Sequence, residues 1–362
     1  MSSFPEILIR GQLRLNSWYI SYLRLTHPLN YLFWEATLNC NFNCLHCGSR
    51  ASRQNHHSNE LTTKEIESVF ESISQKTDPK KIMLAITGGE PLLRQDLFEV
   101  MTYAHKLGFN WGMVTNGFLV TPKIVSQMKQ AGMSTIVVSI DGIGKKHDDF
   151  RQTPGSYVKA INAIKLLVKA KFFKNIQITT VISQHNINYL EEMYLKFSQL
   201  GVQSWRVVNM DPIGRAQDSQ KLLLKPSQFK KMIEFIDKKR LISKLDITYS
   251  CTGFLGPKYE GRLRNWLFCC ATGISTASIL HNGDIFVCPN VTRRPELIQG
   301  NVRQDDFYQI WQDKFKIFRQ SNRTSCSTCN KCSFWTECRG GPFHLWDFDK
   351  NKPKICHLEY LK

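Results

Sequence analysis

The sequence predicts an α/β fold: a partial (βα)6 TIM-like barrel followed by a small cysteine-rich unit of β-hairpin and helix. From Tyr31 to about Met210, short apolar runs alternate six times with longer amphipathic ones, the β–α repeat of a parallel sheet curved into part of a barrel. Glycines follow several amphipathic runs where a left-handed helix C-cap is expected. The cysteines are lopsided: three stand at 40–47, none between 48 and 250, and nine between Cys251 and Cys356. The chain accordingly divides into an N-terminal extension (1–30), an α/β core (31–210), a bridge (211–268) and a cysteine-rich domain (269–362).

The strands expected are 31–36, 82–86, 110–115, 135–140, 176–182 and 205–208, several of them rich in Ile and Val and apolar on both faces, as buried parallel strands are. Helices are expected at 64–74, 97–107, 123–131, 157–170 and 190–200. Thr62 or Thr63 suits the cap of the first and Asp96 that of the second, while Pro122 suits a first helical position. Gly108, Gly132 and Gly201 each follow a helix at the C-cap position. In such folds the chemistry gathers at the C-terminal ends of the strands.

Composition narrows the class. The 362 residues suit two domains, or one large domain with an appendage. No apolar run approaches the roughly 18 residues of a membrane span. Glu6, Arg10 and Arg14 break the apolar core that a secretory signal needs, so a cytoplasmic protein is expected. Twelve cysteines in a reducing compartment point to metal or redox chemistry rather than a disulfide scaffold. The net charge of +18 suits an acidic partner, be it nucleic acid, an anionic membrane surface or an acidic peptide. Its lysines are spread over helical faces as ordinary solvated surface, and no aromatic-interleaved basic block supports a nucleic-acid module.

Four signals fall at the ends of the first four strands. Cys40, Cys44 and Cys47 form a C-x3-C-x2-C triplet after the first. Three such thiolates hold three irons of a cubane and leave the fourth open, whereas structural zinc favours closed paired ligands; buried structural cysteines are the bland alternative. Thr87-Gly-Gly-Glu-Pro91, Thr115-Asn-Gly117 and Ser139-Ile-Asp-Gly142 follow the next three strands. Each alone reads as a turn. Together they suggest a binding site: Gly88 and Gly89 for close approach of a ligand, Glu90 for an ammonium group, Ser139 and Asp141 for a ribose.

On these residues the chain resembles the radical S-adenosylmethionine (SAM) enzymes. The likeness covers roughly residues 31–210 and includes His46 as the aromatic-type residue before the last cysteine of the triplet. It implies a [4Fe–4S] cluster on Cys40, Cys44 and Cys47, whose open iron is chelated by SAM, and reductive cleavage of SAM to a 5′-deoxyadenosyl radical. It also implies SAM contacts from Gly88, Gly89, Glu90, Asn116, Ser139 and Asp141, and from Arg151, which otherwise reads as a surface arginine. The run from Asn209 to Ala216 resembles the loop that closes the sixth strand in such relatives.

The second cysteine group starts at Cys270, followed by twelve residues, Gly283, four residues and Cys288. Alternation around Asn282-Gly283 predicts a β-hairpin with a type I′ turn that brings Cys270 and Cys288 together. With Cys329, Cys332, Cys338 and Cys356, the pattern resembles the SPASM auxiliary-cluster domain. That resemblance implies a complete second auxiliary cluster on Cys329, Cys332, Cys338 and Cys356, with a closed zinc site as the alternative from spacing alone. A first auxiliary cluster would rest on Cys270 and Cys288, but Pro342 stands where the family has another cysteine. Cys269, Cys326 and Cys251 are candidate substitutes. Cys251 is a candidate hydrogen donor near the radical, or an inert buried thiol.

Two departures bear on substrate. Pro289 replaces the aspartate that sulfatase-maturing relatives carry, which disfavours sulfatase oxidation. About thirty residues before the first strand leave no expected room for a separate leader-binding domain. Modification of a peptide or protein is the leading expectation, with an acidic leader peptide as the fitting partner and a flavodoxin or ferredoxin as reductant. A haem-pathway tetrapyrrole side-chain reaction is the alternative, because Cys44-Leu-His-Cys47 fits those relatives equally. A non-catalytic electron-transfer or assembly role is disfavoured by the SAM-site residues, since an electron carrier needs no open iron.

Overall fold

The computed structural model describes residues 4–53, 59–250, 252–320 and 326–362. Seven strands run in sequence order: β1 (Tyr31–Thr37), β2 (Met83–Gly88), β3 (Asn110–Thr115), β4 (Thr135–Ser139), β5 (Asn175–Ile182), β6 (Ser204–Asn209) and β7 (Asp246–Tyr249). Each pairs in parallel with the next, so all their C-terminal ends lie on one side. The helices up to the end of the bridge are α1 (Phe4–Thr26), α2 (Thr63–Lys76), α3 (Leu97–Lys106), α4 (Pro122–Gln130), α5 (Lys145–Arg151), α6 (Ser156–Ala170), α7 (Leu190–Ser198) and α8 (Pro226–Ile242). All six expected strands and five expected helices are present, with their ends shifted by two residues at most.

Several elements, α5 among them, add to that reading. The N-terminal extension is helical over most of its length, and the bridge contributes α8 and the seventh strand. In addition, β8 (Thr276–Ile279) pairs in parallel with β1, from Tyr31 opposite Thr276 to Trp34 opposite Ile279. Strands β9 (Asp284–Phe286) and β10 (Gly300–Asn301) follow antiparallel, giving one ten-stranded sheet. The hairpin of the cysteine-rich segment thus extends the main sheet.

Its turn differs from the expected type I′. Leu280 N–H donates to Asp284 O at 2.9 Å and Gly283 N–H to Leu280 O at 2.9 Å, leaving a three-residue loop. Within that loop only Gly283 takes a positive φ, +89°. This is the type I turn with a glycine bulge, which needs one left-handed residue where type I′ needs two.

The caps follow the sequence in part. Thr62 and Glu65 form a capping box on α2, and Thr121 caps α4 with Pro122 in the first turn. Asp96 makes no side-chain cap; its carboxylate instead takes Arg94 and the Thr63 hydroxyl, and a charged partner outbids a backbone N–H. Trp34, Trp111 and Trp205 are fully buried in the core, with Phe70 edge-on to Trp34 and Phe197 edge-on to Trp205. Rigid packing of this kind fixes the strand ends on which the site is built.

Candidate active site

The chain leaves β1 and folds the cysteine triplet back over the strand ends. Cys40 N–H donates to Ser52 O at 3.2 Å, and Phe42, 1% exposed, anchors the loop edge-on to Phe118. Burial raises the Cys40 thiol to about 12 and the Cys44 thiol to about 11, against the Phe42 N–H at Cys40 and the Arg151 cation at Cys44; the charge of Cys47 pushes both upward. Phe42 N–H points at Cys40 Sγ, 3.5 Å away.

The loop after β6 holds the triplet from the other side. Arg215 Nε donates to Cys44 O at 2.7 Å, its guanidinium to Ala51 O at 2.9 Å, and its backbone N–H to Cys47 O at 3.0 Å. Gly214 has φ +54°, and a Cβ there would lie 2.3 Å from both Cys47 O and Gly48 O. Neither residue was singled out individually from the sequence, although the run that contains them was.

The Gly-Gly-Glu segment packs against the chain that leaves β1. A Cβ on Gly88 would lie 2.2 Å from Thr37 O, and one on Gly89 2.1 Å from Asn39 O. The close approach that these glycines permit is therefore that of the chain leaving β1. Glu90 is 1% exposed. Its carboxylate accepts from Thr115 Oγ1 and Asn116 N, both at 2.8 Å, and from Leu92 N at 3.3 Å. It ties the ends of β2 and β3 together. Burial raises it to about 7 against those hydrogen bonds. Asn116 donates to Asn41 Oδ1 at 2.8 Å and so reaches the cysteine loop. The Asn41 amide nitrogen is itself buried with no partner.

Asp141 is likewise bonded within the fold. It is fully buried, and its Oδ2 takes Arg151 Nε and a terminal guanidinium nitrogen, both at 2.8 Å, while Val181 N donates to Oδ1. His46 Nε2 lies 3.3 Å from the same Oδ2. Despite its burial, Asp141 stays below the usual carboxylate range because Arg151 and the nearby histidines favour its charge. Arg151 is held charged by Asp141, and its cation lies within electrostatic reach of Cys44 and Cys40. His46 stacks on Phe150 at 4.3 Å, and Phe150 on His185 at 5.4 Å, so α5 forms a platform under the cysteine loop. Ser139 sits half-buried at the end of β4.

The later cysteines fall into two places. Cys270 and Cys288 are half-buried against the main core. Cys329 N–H donates to Cys326 Sγ at 3.4 Å. Burial, aided by Cys326 and then by the charges of Cys338 and Cys356, raises Cys329 to about 12. Cys326 therefore stands beside Cys329, and Cys332 lies within electrostatic reach of Cys356. Cys269 is half-buried next to Cys270. Pro342 is buried and precedes a 3-10 turn. Cys251 lies outside the described residues. Next to Cys356, His357 stacks on Phe229 and lies 3.3 Å from Asn209 Nδ2, while His344 Nε2 lies 3.1 Å from Asp211 Oδ2. These contacts fasten the C-terminal cysteines to the end of β6.

Comparison with known proteins agrees with this architecture. The Radical SAM superfamily profile matches residues 34–197, and the SPASM iron–sulfur cluster-binding profile matches 269–333. An AdoMet-dependent heme synthase of Methanosarcina barkeri is 27% identical over 339 residues, covering 88% of this chain and 92% of that protein. The mycofactocin maturase MftC of Mycobacterium tuberculosis is 27% identical over 316 residues, covering 86% of this chain and 77% of that protein. Among solved structures, native anSMEcpe with bound AdoMet superposes with a TM-score of 0.71 at 20% identity, over 92% of this chain and 94% of that one. Streptococcus suis SuiB bound to S-adenosylmethionine gives 0.69 at 17% identity, over 88% and 73%. Triplet, strand-end loops and C-terminal cysteine module together place the chain in the radical SAM superfamily, as an enzyme with a SPASM-type iron–sulfur domain.

Proposed function

We propose that this enzyme modifies a peptide or protein by C–H activation. The observation that carries the reading is the likeness to mycofactocin maturase, which spans both the barrel and the cysteine-rich end. The +18 charge supports an acidic peptide as partner. When bound, the cluster and SAM supply a 5′-deoxyadenosyl radical for hydrogen abstraction.

The residues present fit that cofactor pair. Cys40, Cys44 and Cys47 offer three thiols on one loop, and the burial that keeps Cys40 and Cys44 protonated when empty is offset once cationic iron takes their protons' place. The unpartnered Asn41 amide supplies a donor inside the same loop. Arg151 holds positive charge beside the thiolates, and Asp141 orients it together with His46. Gly88, Gly89 and Glu90 are proposed to receive the SAM amino group, and Glu90 also fixes the spacing of the strand ends. Cys329, Cys332, Cys338 and Cys356 are proposed to hold an auxiliary cluster, with Cys326 a competing ligand at the same place.

A second reading, side-chain chemistry on a tetrapyrrole, is favoured by the heme synthase likeness, in which both chains are covered nearly end to end. One experiment separates the two. Anaerobically reconstituted, reduced enzyme with SAM is incubated with the candidate precursor peptide or with an iron tetrapyrrole, and both are weighed by mass spectrometry. A mass change on the peptide alone is expected. A change on the tetrapyrrole alone overturns the peptide reading.

A further inference from the structure

Helix α1 has two apolar faces, and only one of them is covered. On the inner face Leu13 and Ile9 pack with Phe254, Phe268 and Phe334, and Ser17 Oγ donates to Thr336 O at 3.1 Å. The outer face shows Trp18 and Leu25 at 80% exposure, Leu15 at 71%, and Tyr22, Tyr19 and Leu8 between 55% and 59%. At one turn per 3.6 residues these six side chains fall within a sector about 120° wide. From residue 8 to the helix end, only Gly11 and Thr26 share that sector. Among the described residues, no other element exposes more than two large apolar side chains. Isolated exposed apolar residues are ordinary, but a continuous stripe marks an interaction surface.

The composition of the stripe indicates its occupant. Three of its six members are Trp or Tyr, whose amphipathic rings settle at the boundary between lipid and water. Arg14, exposed, follows one edge of it. A second copy of the chain would bring its own excess of 18 positive charges to the contact, whereas an anionic surface is attracted by that excess. Among the described residues no helix is long and apolar enough to cross a membrane, so α1 would lie in the plane of the surface. We propose that α1 is an interfacial helix that seats the enzyme on an anionic lipid bilayer through Leu8, Leu15, Trp18, Tyr19, Tyr22 and Leu25.

The test is co-sedimentation of the full, anaerobically reconstituted protein with lipid vesicles. One set is pure phosphatidylcholine and the other contains roughly a third phosphatidylglycerol. Binding to the anionic set, weakened by salt, is expected. Trp18→Glu with Leu25→Glu should lower the partition coefficient at least about tenfold. Leu241→Glu, an exposed apolar control on α8, should leave it unchanged. All three substituted positions are solvent-facing, and unchanged SAM cleavage would report an intact fold. Absence of binding, or equal binding by the double variant, overturns the proposal. So does a concentration-dependent dimer that the double variant abolishes, which would assign the stripe to a second copy.

Discussion

Arg215→Ala should loosen the cysteine loop without touching a cysteine. The guanidinium spans two turns of that loop, with bonds of 2.7 Å to Cys44 O and 2.9 Å to Ala51 O. A hydrogen bond from a charged donor contributes about 1.5–3 kcal/mol net, so the pair is worth about 3–6 kcal/mol. Arg215 is only half-buried, which favours the lower end. A loss of about 3 kcal/mol raises the population of the open loop about a hundredfold. The assay is the rate of iron transfer to a chelator from anaerobically reconstituted protein. Iron also absent from the triple variant Cys40→Ala, Cys44→Ala, Cys47→Ala is counted as belonging to the triplet. Arg215→Ala should lose that iron tens to a hundred times faster than the parent. Arg215→Lys should fall between, because a lysine cannot fork to two carbonyls in fixed geometry. Iron loss at the parental rate in Arg215→Ala would refute the anchoring.

Three further outcomes are expected. The folded Glu90 carboxyl, raised to about 7, keeps a proton that the unfolded chain has released, so apo-protein stability falls as pH rises from 4.5 to 7. Glu90→Gln should remove up to about 3 kcal/mol of that dependence, read by denaturant unfolding at pH 5 and 8. In the apo-protein at pH 8, Cys40 and Cys44, at about 12 and 11, should alkylate on the order of a hundredfold or more slower than an ordinary thiol, by mass-spectrometric mapping. Cys329→Ala should cost about four irons per chain while SAM cleavage persists; Cys270→Ala at full iron content would exclude the first auxiliary cluster, on Cys270 and Cys288.

Much of the barrel was legible because its strands are buried on both faces and punctuated by glycine. Gly108, Gly132 and Gly201 do take positive φ, and the strand between the first two matches its expected bounds. Strand β7 was not legible: at four residues it is too short for a period, and its apolar character lies in Ile247 and Tyr249 alone. Helix α1 was obscured because apolar residues lie on both of its faces, which blurs the amphipathic pattern. At the site, sequence supplied the residue types but not their directions. Glu90 and Asp141 read as ligand contacts because each sits at a strand end; their partners within the fold, Thr115 and Arg151, stand 25 and 10 residues away. Likewise Gly214-Arg215 gains its meaning only when the chain returns, 164 residues after Ala51, to the cysteine loop. Contacts of that range leave no local periodicity to read.

The most direct measurement of the central claim is 5′-deoxyadenosine formation by the reduced, anaerobically reconstituted protein supplied with SAM. Time-dependent 5′-deoxyadenosine is predicted for the parent, and none for Cys40→Ala, Cys44→Ala or Cys47→Ala. Cleavage that persists in those variants, or is missing from a parent fully loaded with iron and sulfide, would contradict a radical-generating cluster on the triplet.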